Sequence, residues 1–190
     1  MSKVTLDPSL GFFMPWPVVL VSVADPTHGR ANLITIGAVA PACARPPTLG
    51  IAVTPLRYSY ELIRNAREYV VNIPTVELAA AVDFCGSVSG RDLDKFQATG
   101  LTPLPGRRVS SPVVAECPIN LECRVAKVAE LGSHDFFFGE IVAVQVSEDV
   151  INEKKALDPN LFHLYVGVRG TYRTVGEDLG SYGFGREKFP

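Results

Sequence analysis

Arg57 and Ser59 stand two residues apart at the start of a run, Ser59 to Ala66, whose apolar positions Leu62, Ile63 and Ala66 share one helical face. A guanidinium and a hydroxyl so spaced can share one phosphate, and the N–H groups of a first helical turn add hydrogen bonds and the positive end of the dipole. The plainer alternative is a helix cap beside a solvated arginine. Asn32 and Thr35 form a second group: an amide and a hydroxyl at a strand edge suit the carbonyls and ring nitrogens of a planar heterocycle, or the polar company of a turn at Gly29. In a third, Ser87, Ser89, Gly90 and Lys95 can close over a phosphate or a ring edge, or form a helix-start loop with surface charge. His134, in Gly132-Ser133-His134-Asp135, is a loop imidazole able to donate a proton or bind a carboxamide, or else a turn histidine.

These groups need strands to position them. Val18 to Val23, Thr48 to Val53 and Tyr69 to Ile73 are continuous apolar runs, as expected of strands buried on both faces. Ile119 to Val128 alternates, with Leu121, Cys123 and Val125 on one face; Glu122 and Arg124 are expected on a wet face. Phe136 to Val146 and Phe162 to Arg169 complete the set. Helices are fewer: Ser59 to Ala66 capped by Ser59, Val76 to Phe84 capped by Thr75 and ending at Gly86, and a short one through Phe96 opened by a capping box, Ser89 to Asp92. The stretch from Pro103 to Pro112 reads as a covering loop inside one domain. Many strands with few helices predict a mainly β fold, an antiparallel barrel with helical additions; the missing βαβ alternation and missing G-x-G-x-x-G argue against a dinucleotide-binding fold.

Composition narrows the function classes. The chain has 190 residues and a net charge of -2 with no basic run, so no nucleic-acid footprint is visible. Cys43, Cys85, Cys117 and Cys123 form no C-x-x-C pair and read as reduced thiols. The apolar stretch Gly11 to Ala24 is broken by Pro15 and Pro17 and is too short to span a bilayer, so the expectation is a soluble, cytoplasmic protein without a membrane role. Three scattered histidines make no metal site, and no G-x-S-x-G elbow supports a hydrolase.

In their order the motifs resemble the flavin reductase-like family, which includes the flavoredoxins. The matching pieces are Pro17-Val18-Val19-Leu20-Val21-Ser22, Asn32-Leu33-Ile34-Thr35, Arg45-Pro46-Pro47, Arg57-Tyr58-Ser59, Tyr69-Val70-Val71-Asn72-Ile73 and Ser89-Gly90 through Asp94-Lys95-Phe96. The His134 loop leading to Phe138-Gly139-Glu140-Ile141 and the Tyr165 to Tyr172 stretch also match. The resemblance implies an FMN-binding split β-barrel, Greek-key-like, spanning residues 1–190 as one domain with residues from about 170 onward as an extension or lid, and acting as a homodimer. It implies non-covalent FMN bordered by Asn32, Leu33, Ile34, Thr35, Val53 and Thr54, with Arg57 and Ser59 on the phosphate, Ser87, Ser89, Lys95 and Phe96 assisting, and His134 toward a nicotinamide. Trp16 would cover the ring or plug the barrel. The activity implied is an NAD(P)H-dependent FMN reductase-like oxidoreductase passing electrons to a flavin, a small molecule, a monooxygenase or an electron-transfer protein. The alternatives are a flavoredoxin-type carrier with tightly held FMN and a non-catalytic FMN-binding protein. Two departures concern access: Val166-Gly167-Val168-Arg169-Gly170 lacks the glycine pair common in the family's closing segment, and Phe136, Phe137 and Phe138 follow His134 closely.

Overall fold

Seven strands form one antiparallel sheet that rolls until its two ends meet. In this computed structural model residues 3–8 and 14–187 are described. Part of the apolar stretch weighed as a membrane span (residues 11–13) and the end of the C-terminal extension (residues 188–190) lie outside them. The order across the sheet is β3 (Arg30–Ile36), β2 (Val19–Asp25), β6 (Glu68–Ile73), β9 (Ile119–Glu130), β10 (Asp135–Val146), β5 (Pro47–Val53) and β4 (Val39–Ala44). The outermost strands, β3 and β4, are consecutive in the chain and joined only through residues 37–38. The Ala52 N–H donates to the Ala38 carbonyl at 2.9 Å, and the barrel closes there. Irregular register between Phe138 and Gly139 and between Ile141 and Ala143 bends the long β9–β10 ribbon to fit. A Cβ on Gly139 would lie 2.6 Å from the Tyr69 hydroxyl, which sits between the Leu49 and Phe137 carbonyls at 3.0 and 3.1 Å.

The barrel interior holds Val19, Val21, Val23, Ile34, Ile51, Val53, Val71 and Phe137, and α1 (Tyr58–Ala66) packs Tyr60, Leu62 and Ile63 against them. Outside it, Leu20 and Leu33 pack beneath Val82 and Cys85 of α2 (Ala79–Ser87) and Phe96 of α3 (Lys95–Thr99). This second layer is why β2 is apolar without alternation: both its faces are covered. A small sheet joins β1 (Trp16–Pro17) to β11 (Tyr165–Val168) and β11 to β12 (Thr171–Thr174), tying the early chain to the late chain.

Several sequence expectations are corrected. Glu122 is fully buried rather than wet. The loop before β8 (Val113–Val114) folds over it, so its carboxylate accepts the N–H groups of Arg107 at 2.9 Å, Arg108 at 2.6 Å and Val109 at 3.1 Å, and the Gln145 side-chain amide at 2.9 Å. The same loop puts the N–H groups of Ser110 and Ser111 on Glu68, at 2.7 and 2.8 Å. The stretch from Pro103 to Pro112 is therefore a clamped cover, its β7 (Pro103–Leu104) paired with β8. Ser59 does not cap α1; Arg57 holds the cap position and Ser59 is inside the first turn. After Thr75 the chain makes one 3₁₀ turn, Val76–Leu78, before α2 begins, and α2 runs past Gly86 to Ser87. Ser89 and Asp92 form no capping box: Asp94 caps α3, accepting the Gln97 N–H at 3.1 Å, while Ser89 Oγ accepts the Arg91 N–H at 3.2 Å. The late strand is only Tyr165–Val168, preceded by a 3₁₀ turn at Pro159–Leu161. Residues 39–44, for which the sequence suggested no element, form the exposed edge strand β4. The cysteines are all free, Cys43 being exposed and the other three buried.

Candidate functional site

A groove runs between β3, the start of α1 and the segment 86–91, and continues to the ends of β5 and the hairpin at His134. Its two lobes share Ile34 and Arg57. The first, about 220 Å³, is lined by Leu56, Arg57, Tyr58, Ser59, Cys85, Gly86, Val88, Ser89, Gly90, Arg91 and Lys95. The second, about 180 Å³, is lined by Thr35, Ile36, Gly37, Ala38, Ala52, Val53, Thr54 and His134.

The first lobe is built to receive an anion. Among the described residues no side chain lining it is acidic, while Arg57, Arg91 and Lys95 all contribute. Lys95 is 4% exposed, and its ammonium donates to the carbonyls of Leu33 at 2.8 Å and Cys85 at 2.6 Å. That uses two of its three N–H groups, and among the described residues no carboxylate neutralises it. Burial pushes its pKa down to about 8; the Cys85 thiol opposes this and the Arg57 charge adds to it. Ser59, also buried, accepts the Asn32 amide at 2.7 Å, so its own O–H is left to donate elsewhere. Gly90 touches this pair: a Cβ there would fall 1.9 Å from Asn32 Oδ1, so only glycine lets the 88–91 segment come this close.

The second lobe presents backbone rather than charge. β3 is an edge strand, and the Leu33 carbonyl points off its free side to Lys95. Backbone groups two residues along an antiparallel strand face the same way, so the Thr35 N–H and C=O also point off that free side. The Thr35 hydroxyl donates to the Val82 carbonyl and fixes α2 against β3, helped by Gly86, where a Cβ would lie 3.1 Å from Thr35 Cβ. His134 is exposed at the far wall, with its Nδ1 3.0 Å from Ser133 Oγ. The next residue, Asp135, is buried and accepts the Tyr60 hydroxyl at 2.5 Å, which anchors the hairpin carrying His134 to α1.

The groove thus brings together Ile34, Thr35, Val53, Thr54, Arg57, Ser59, Ser89, Lys95 and His134, with Asn32 directly behind Ser59. The side chains of Leu33 and Phe96 are buried in the layer between sheet and helices, and Leu33 meets the site only through its carbonyl. Ser87 is exposed, donates to the Phe84 carbonyl at 2.9 Å and borders neither lobe. Trp16 lies at the end of the second lobe, its Cβ 3.8 Å from where a Gly37 Cβ would be. Sequence reasoning passed over Arg91, Gly37 and Ala38. Arg91 stands next to Asp92 and two residues from Ser89, a pattern that reads as a solvated loop, and small residues after a strand carry no chemical signal of their own.

Among the described residues no helix is long and apolar enough to cross a membrane. Comparison with known proteins agrees with the architecture. A flavoredoxin from Methanosarcina acetivorans superposes with a TM-score of 0.90 at 30% identity, covering 99% of this chain and 100% of that one. An FMN-binding protein from Thermus thermophilus, solved with 1-cyclohex-2-enone, gives a TM-score of 0.79 at 28% identity over 95% and 99% of the two chains. An uncharacterised protein of Archaeoglobus fulgidus is 39% identical over 115 residues, 60% of this chain and 65% of that protein's own length. The model of the flavin reductase like domain matches residues 11–175, and with the rolled antiparallel barrel this establishes that the chain belongs to the flavin reductase-like, split-barrel family.

Proposed function

We propose that the groove holds FMN non-covalently and that the protein is an oxidoreductase taking hydride from NAD(P)H and delivering electrons to a flavin, small-molecule or protein acceptor. The observation that carries this reading is the buried Lys95 ammonium, held by two carbonyls and without a carboxylate partner among the described residues, in a lobe shared with Arg57 and the available O–H of Ser59. A phosphate monoester is a fitting counter-ion there. The Methanosarcina flavoredoxin and the Thermus FMN-binding protein support the flavin by their names.

FMN, when bound, supplies hydride acceptance and one- or two-electron delivery. The chain supplies the rest. Arg57, Ser59 and Lys95 fix the phosphate end. The outward N–H of Thr35 and backbone at Thr54 face the lobe where a ring would lie, and donors there stabilise negative charge as it develops. His134, at the open wall, orients a nicotinamide. Leu33 acts through its carbonyl on Lys95, and Phe96 packs behind that lysine; Ser87 and Ser89 shape the loop.

The homodimer expected from the family is part of the same proposal. The exposed β4 edge and the half-buried Phe136–Phe138 stack, centroids 5.7 Å apart on the strand beside β5, support it. One domain with residues from about 170 onward as an extension, and a cytoplasmic location, complete the reading.

An absorption spectrum after desalting, then after anaerobic NADH or NADPH, tests it. A flavin band that persists and bleaches with either nucleotide is the expected result. A band that neither bleaches favours the flavoredoxin-type carrier, and no flavin retained or turned over removes the proposal. Arg57→Ala is expected to weaken FMN about tenfold through loss of a charge-assisted contact.

A further inference from the structure

We propose that Arg91 sets the preference for a phosphate-bearing flavin over an uncharged one, and that Tyr58 is the residue that positions it. The inference rests on the phosphate reading of the first lobe and extends it to two residues that reading does not use.

Arg91 borders the same lobe as Arg57 and Lys95, and its guanidinium carbon lies 5.1 Å from the centroid of the Tyr58 ring. No hydrogen bond or ion pair from its guanidinium is present among the described residues. A guanidinium resting on a ring keeps its N–H groups available, so Arg91 can donate to an anion while Tyr58 still holds it.

The ring itself is fixed. The Tyr58 hydroxyl donates to Asp25 Oδ2 at 2.6 Å and lies 2.9 Å from His28 Nδ1, which is 2.8 Å from the same carboxylate oxygen. The Asp25 side chain is fully buried, so this trio is anchored in the barrel. Desolvation and the bond to Asp25 push the Tyr58 pKa up to about 12, which keeps it a donor. The backbone leading into Arg91 is fixed as well, because Arg30 Nη2 donates to the Gly90 carbonyl at 2.7 Å. Both the platform and the root of Arg91 are therefore set by residues outside the groove, and the guanidinium waits at its edge.

The test is fluorescence titration of FMN and riboflavin into the wild type, Arg91→Gln, Tyr58→Phe, Tyr58→Leu and the Arg91→Gln/Tyr58→Leu double variant. Arg91→Gln is expected to weaken FMN about tenfold, the size of one charge-assisted contact, and to leave riboflavin within about twofold. Tyr58→Phe keeps the ring but loses its bond to Asp25, and should lower the FMN-to-riboflavin ratio less than Tyr58→Leu does; the double variant should add little to Arg91→Gln. An unchanged ratio in Arg91→Gln overturns the assignment of Arg91, and equal losses for both ligands in Tyr58→Leu reduce Tyr58 to a structural role. A wild type that binds riboflavin as well as FMN defeats the phosphate reading itself, a different failure from either of these.

Discussion

Lys95 Nζ donates to the carbonyl oxygen of Leu33 at 2.8 Å, so a buried ammonium is bonded to the free edge of the strand that walls the groove. Its neighbours are carbonyls, a thiol and another cation, and its pKa falls to about 8 from an ordinary 10.5. In the ligand-free protein the unfolded chain binds more protons between those values. The burial penalty is felt in full below pH 8 and is relieved as pH rises through the window.

A dianion arriving beside Lys95 reverses that shift. FMN binding is expected to take up about half a proton at pH 8 and more at pH 9, with affinity falling as pH rises. Calorimetry in buffers of different ionisation enthalpy reads the uptake directly. Lys95→Met should abolish it and weaken FMN about tenfold or more; uptake that survives the substitution assigns the proton to another group.

The His134 side chain is exposed, and among the described residues its imidazole bonds the adjacent Ser133 hydroxyl, so its removal should leave the fold intact. His134→Ala is expected to raise the KM for NAD(P)H several-fold while FMN affinity stays within about twofold. Steady-state kinetics beside a flavin titration separate the two effects, and loss of FMN instead would contradict the role given to this residue.

Gly90→Ala should damage the site more than the fold. The added methyl would meet Asn32 Oδ1 at 1.9 Å, and Asn32 is what holds Ser59. FMN affinity is expected to fall tenfold or more while the melting temperature changes by only a few degrees, a pairing that flavin titration and thermal unfolding check together.

Glu122 makes the opposite case, with stability at stake and the groove untouched. Burial alone would raise its pKa, but the N–H groups of Arg107 and Arg108, the Gln145 amide and the Val109 N–H outweigh that and hold it below the ordinary value of 4.5. Its contribution is therefore complete above pH 4.5 and is lost as pH falls through the lowered value. Glu122→Ala strips acceptors from three backbone donors, so denaturant unfolding should show a loss of about 3 kcal/mol at neutral pH. The difference from wild type should shrink in acid.

Much of this protein is legible in its residues. Strands β2, β5, β6, β9 and β10 announce themselves because apolar side chains at strand spacing must be buried whatever their partners. Arg57, Ser59, Lys95 and His134 are visible as candidates because charge or hydroxyl beside an element boundary can bind an anion, but caps and solvated loops read the same way, and it is their order along the chain, with its family resemblance, that selects them. What the chain alone does not determine is which polar groups face inward. Glu122 alternates with apolar neighbours and reads as wet, yet a loop more than ten residues earlier supplies its donors. Ser59 reads as a cap, yet Asn32 bonds it from β3. Ser87, the last residue of α2, points away from the groove and Arg91, in the segment after it, borders the groove, because only the folded loop decides which side chain turns toward Tyr58. Burial propensity belongs to a residue and its near neighbours and is written locally. Hydrogen-bond partnership across the barrel depends on where distant segments meet, and only closure of the sheet between β3 and β4 brings them together.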